Sequence, residues 1–134
     1  MPTPVPQEIP NWIDNQPVPA ASGGWFDKLR PGDGQRLCRV ARSGAADVDR
    51  AIEAARAARE AWADMTVVAR GDLMRAIALR MSERKAEIAE IVALETGKSR
   101  AEALGETQAA IEMGFFVAGE GRRYYGKTTT ASMA

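Results

Sequence analysis

A mainly helical fold with an N-terminal β-hairpin is what this sequence predicts. Three observations carry the prediction. From Asp47 onward, apolar residues recur every three or four positions, the period of a helix. Before that point, short alternating segments are separated by Ser22-Gly23-Gly24 and by Pro31-Gly32-Asp33-Gly34, both of turn composition. The chain has 134 residues, 46% of them apolar, which fits one soluble domain with a core of modest size.

The elements follow in order. Residues 1–10 carry four prolines, and proline stiffens a chain while removing a donor, so an extended arm is expected. Residues 11–42 read as a hairpin region, its turn lying between Phe26-Asp27-Lys28-Leu29 and Leu37-Cys38-Arg39-Val40. A first helix is expected over 47–64, with Val48, Ala51, Ile52, Ala55, Ala58, Trp62 and Met65 on one face. Asp47 and Asp49 suit the positive end of its dipole, and Glu53 supports Arg56 on the wet side.

Thr66 is placed to cap a second helix over 67–95. Leu73, Met74, Ile77, Met81, Ile88, Ile91 and Val92 make its apolar stripe. That stripe lapses at Ser82-Glu83-Arg84-Lys85, so a kink or a split is expected there. Gly97 stands where a helix stops, and Ser99-Arg100-Ala101-Glu102 is a capping-box pattern that opens a third helix over 100–125. Residues 127–134 form a tail.

Composition narrows function. Lys plus Arg equals Asp plus Glu, 18 against 18. That balance removes the long-range attraction of a basic domain for nucleic acid or an anionic membrane. Histidine is absent and cysteine occurs once, which argues against a structural zinc site. A lone cysteine suits a reducing compartment, read as cytoplasmic. The N-terminus has neither the basic nor the apolar part of a signal peptide, and no stretch reaches the length of a membrane span.

Individual motifs give no active site. Gly97-Lys98-Ser99 resembles the end of a phosphate loop, but Val92 replaces the glycine five residues earlier and a helix, not a strand, precedes it. Gly119-Glu120-Gly121 fails as a dinucleotide fingerprint because Tyr124 replaces its last glycine. Cys38 has no histidine to activate it and reads as a half-buried structural residue. Phe115, Phe116, Tyr124 and Tyr125 read as core or interface. Ala103, Thr107, Ala110, Gly114, Val117 and Gly121 form a stripe of mostly small side chains on the third helix. Either another helix of this chain or protein outside it packs closely there.

The order of these pieces resembles the N-terminal segment of the NAD(P)-dependent aldehyde dehydrogenases. "NWIDNQPV" is similar to their opening strand, "FDKLRPGDGQRLCRVA" to the next hairpin and "DVDRAIEAARAAREAW" to their first helix. "ARGDLMRAIALRM", "ALETGKSRAEALGE" and "FFVAGEGRRYYGKT" follow in family order, covering 11–128. The resemblance implies the N-terminal part of an α/β, Rossmann-like cofactor-binding domain. It implies a parent enzyme that oxidises an aldehyde to an acid with NAD or NADP through a cysteine thiohemiacetal. The family's nucleophile, general base, oxyanion-hole and ribose-binding residues lie beyond this segment. No catalytic or cofactor-binding residue is therefore assigned, and the fragment alone is expected to be inactive. Many members hold a monovalent cation, and by motif its ligands would be the Lys28 and Leu29 carbonyls and the Glu106 side chain. Arg30 stands where the family commonly has asparagine. The expected partner is the missing remainder of the enzyme or a second copy; the alternative function is a non-catalytic helical interaction module.

Overall fold

The computed structural model describes residues 4–123 and 125–126. Five short strands precede four helices: β1 (Glu8–Ile9), β2 (Asn11–Ile13), β3 (Gln16–Val18), β4 (Trp25–Leu29), β5 (Arg36–Ala41), α1 (Ala45–Asp64), α2 (Val67–Glu83), α3 (Lys85–Thr96) and α4 (Arg100–Ala118). A 3₁₀ turn, Glu120–Arg122, follows α4. Among the described residues no helix is long and apolar enough to cross a membrane.

The expected hairpin is β4 against β5, antiparallel, with Phe26 opposite Val40 and Lys28 opposite Cys38. Two further pairings join it. β1 runs parallel to the outer side of β5, Glu8 opposite Arg39 and Ile9 opposite Val40. The described part of the expected extended arm lies against the sheet: Gln7 O accepts from Arg39 N–H at 2.8 Å, and Val5 is buried with Leu37 and Cys38. β2 and β3 form a second hairpin. Asp14 and Asn15 turn it at φ 52° and 56°, the left-handed conformation that a two-residue turn needs and that Asp and Asn tolerate.

The second predicted helix is split at Arg84, the last-turn cap of α2 and the start of α3. Thr66 caps α2, its Oγ1 accepting from Ala69 N–H at 3.1 Å. The third predicted helix stops at Ala118, not Tyr125. Gly119 and Gly121 carry the chain into the tighter 3₁₀ turn there, with Gly119 N–H donating to Phe116 O at 3.1 Å. Tyr124 lies outside the described residues.

α4 packs between α2 and α3, and its small side chains set how closely. Ala103, Thr107 and Ile111 are buried along it. A methyl group on Gly121 would sit 2.4 Å from Val67 O, and one on Gly71 would sit 2.4 Å from Ala118 O. At Gly114 the neighbour is the Ala78 methyl, 3.1 Å away. The glycines of the small stripe are thus used within the chain. Ala110 and Val117 of that stripe stay exposed.

Large apolar side chains fare differently. Among the described residues none is completely buried, and half of the buried apolar residues are alanines: Ala20, Ala41, Ala78, Ala89 and Ala103. Leu73 and Ile77, expected inside, are 46% and 53% exposed. On α1, Val48, Ile52 and Trp62 are all exposed, and only Asp47 is buried. α1 is held chiefly at its ends. Asp47 accepts from Gly44 N–H at 2.9 Å and from Ala21 N–H at 2.8 Å. The Arg70 guanidinium donates to Met65 O at 2.9 Å and Trp62 O at 3.2 Å.

Two predictions follow from this packing. Gly121→Ala should destabilise the chain by roughly 1–3 kcal/mol through overpacking, whereas Gly105→Ala, which meets nothing within 4 Å inside α4, should stabilise it by about 0.8–1.0 kcal/mol. Urea unfolding followed by circular dichroism would show the opposite shifts. The Gly44 and Ala21 amides hold the Asp47 carboxyl below its ordinary value of 3.8. Its contribution is therefore present above that value and is lost as pH falls through the lowered one. Asp47→Ala should lower the urea midpoint at neutral pH and flatten its decline in acid.

Candidate functional site

The region that sequence singles out is where the β4–β5 turn meets the α3–α4 turn. Gly97 ends α3 at φ 76°, with its N–H donating to Ala93 O at 2.9 Å. Left-handed backbone of this kind costs a side chain about 1–2 kcal/mol. Pro31 adds a second constraint, because a methyl on Gly97 would lie 3.0 Å from Pro31 Cβ. Two residues later Ser99 caps α4: its Oγ accepts from Glu102 N–H at 3.2 Å, and Glu102 accepts from Ser99 N–H at 3.0 Å. "ETGKS" is a stop, a close approach and a start in succession, so no phosphate cradle is formed. Arg30, Gly32, Asp33, Ala93, Leu94, Gly97 and Lys98 line the open cleft of ≈ 320 Å³ between the two turns.

The three residues assigned to a cation are placed as follows. Lys28 and Leu29 lie at the end of β4, where the register with β5 shifts between them. Such a bulge disrupts the ladder locally and leaves backbone groups unpaired. Glu106 is on the second turn of α4, largely exposed, and its carboxylate is ion-paired with Lys98 Nζ. No ion pair or side-chain hydrogen bond joins Glu106 to β4 among the described residues. Nor is any group of three or more His, Cys, Asp or Glu there arranged to hold a metal ion.

Lys98 is the residue that sequence reasoning passed over. Its eight-residue distance from Glu106, across a turn of fixed geometry, was the available signal.

Cys38 is buried at the sheet–α3 junction. Burial, then the Glu95 charge, push its thiol above the ordinary value, which disfavours the thiolate a nucleophile needs. Phe116 and Tyr125 are exposed at 60% and 85%, the Arg123 guanidinium lying 5.1 Å from the Phe116 ring centre.

Comparison with known proteins gives this geometry a context. The Aldehyde dehydrogenase family matches residues 18–134. This chain belongs to the aldehyde dehydrogenase family. A Bacillus subtilis protein named as the aldehyde dehydrogenase DhaS is 37% identical over 126 residues, covering 92% of this chain and 26% of its own length. The crystal structure of an NAD-dependent aldehyde dehydrogenase from Sinorhizobium meliloti superposes with a TM-score of 0.85 at 32% identity, over 93% of this chain and 26% of that one. An E. coli NADP-dependent enzyme gives 0.86 at 32%, over 95% and 26%. The chain thus spans about a quarter of the length of the aldehyde dehydrogenases it matches. One of these neighbours is named as NAD-dependent and the other as NADP-dependent.

The turn yields a test. Gly97→Ala should cost roughly 1–2 kcal/mol from backbone strain, whereas Gly32→Ala, open on all sides, should be near neutral. Thermal midpoints of the two variants would separate these outcomes.

Proposed function

We propose that this chain is the N-terminal, non-catalytic segment of an NAD(P)-dependent aldehyde dehydrogenase. It supplies scaffold to the cofactor-binding domain and is inactive by itself. The observation that carries the reading is uncovered surface. The chain exposes 10209 Å², whereas a compact monomer of 14.4 kDa exposes roughly 6,800 Å². Among the described residues fifteen large apolar side chains contribute to it, from Trp12 on β2 to Tyr125. A 20-residue helix such as α1 gains most of its stability by packing an amphipathic face, and the described chain leaves that face open. The rest of the polypeptide would cover it.

The chemistry agrees. Aldehyde oxidation through a thioester needs a reactive thiolate, and the only cysteine is buried with its thiol held protonated. A cytoplasmic setting is part of the proposal, supported by that single reduced cysteine. Lys28, Leu29 and Glu106 remain the residues proposed for a monovalent cation, on the resemblance of their motifs alone.

A second reading, self-assembly without catalysis, is favoured by the same open face of α1. Homogeneous 134-residue protein, given a panel of aldehydes with NAD or NADP, should form no reduced nicotinamide above background at 340 nm; turnover would overturn the inactive-segment reading. Sedimentation over a concentration series separates the two readings: a persistent monomer sinks self-assembly.

A further inference from the structure

We infer that α1 is a strap: it opens and recloses as a unit on two polar tethers while the sheet and α2, α3 and α4 stay folded. Its length and its two ends both support this. Of its 20 residues only Asp47 is buried, whereas α4 buries Ala103, Thr107 and Ile111. β2 is its main neighbour, and a cleft of ≈ 210 Å³ opens between them beside Trp12, Val48 and Ala51. Apolar burial, the usual force that fixes a helix to its body, is nearly missing along α1.

What holds α1 is polar and terminal. At its start the Asp47 carboxylate accepts from Gly44 N–H and, across the fold, from Ala21 N–H in the loop before β4. At its end the last carbonyls need donors from outside the helix. α1 has no basic residue in its last turn. Arg70 of α2 reaches back to the Trp62 and Met65 carbonyls instead, and its guanidinium lies 5.9 Å from the Trp62 ring centre. The flanking backbone is extended: Gly44 at φ −123° and ψ −170°, Met65 at −68° and 140°, Thr66 at −61° and 150°. Such element-terminal residues can absorb a hinge motion. α1 is also alanine-rich and braced by the Glu53–Arg56 pair at 2.6 Å, so it keeps helical character when released. It therefore moves in one piece, carrying Val48, Ile52 and Trp62. The inference goes beyond the scaffold reading above: α1 becomes rigid only when protein is laid on that stripe.

Native-state hydrogen exchange of the 134-residue chain at low urea tests this. Amides of Ala55 to Arg59 should be protected, yet exchange about a hundredfold faster than those of Thr107 and Ile111 and with a shallower urea dependence. Asp47→Ala and Arg70→Met should each speed α1 exchange about tenfold, the loss expected for a hydrogen bond to a charged group. Ile111→Val, in the α4 core, should speed exchange in α4 severalfold and leave α1 unchanged. Far-UV circular dichroism would check that each variant is folded. Four outcomes would each overturn the strap: α1 exchanging with the rate and urea dependence of α4, α1 exchanging at the unfolded-chain rate, an unmoved α1 in either tether variant, or equal acceleration of α1 by Ile111→Val. Aldehyde oxidation by the isolated chain would sink the inactive-segment reading and leave these exchange rates standing.

Discussion

The contact on which the rest of this structure depends is between backbones, where α4 and the turn after it lie against α2. Gly71 meets Ala118 O and Gly121 meets Val67 O at distances that admit no side chain. Ala78 faces Gly114, and Ala103 is completely covered. Small residues let the helices approach closely, but each contributes little apolar area. At about 25 cal/mol per Å², a core half made of alanines is weakly stabilised. Many of the larger side chains that would ordinarily supply the difference, Leu73, Ile77 and Trp62 among them, are exposed. The economy makes sense in a layer that has protein on more than one side.

α1 shows the consequence most clearly. It is tied down at its first turn by Asp47 and at its last by Arg70, while Val48, Ile52 and Trp62 between them touch solvent. A helix fixed at both ends and bare along its stripe is positioned for something to be laid upon it. Its geometry matches that of full-length aldehyde dehydrogenases, of which this chain spans a quarter. Fold and incompleteness are therefore two views of the same surface.

The turn between α3 and α4 links scaffold to site. Gly97 lies so near Pro31 that a methyl there would sit 3.0 Å from Pro31 Cβ, which lets the β4–β5 turn approach the helices closely. That same contact fixes where Lys98 begins, and Lys98 reaches Glu106. A motif that looks like the end of a phosphate loop acts instead as a clip with a charged tip.

Local signals were legible in the residues themselves. Helix starts at Thr66 and Ser99, the stop at Gly97, the break near Arg84 and the β4–β5 hairpin all depend on neighbours within a few positions. Capping, turn geometry and periodicity are local physics, so the sequence by itself determined them, and the ordered set was enough to suggest the family. Which apolar residues are covered was decided only in three dimensions. Leu73 and Ile77 follow the helical period as faithfully as any core residue, yet the close approach of α4 is made by glycines and alanines beside them. The parallel pairing of β1 with β5, the ending of α4 at Ala118 and the Lys98–Glu106 pair likewise required the tertiary structure. Each depends on a partner brought near by folding and not by chain spacing.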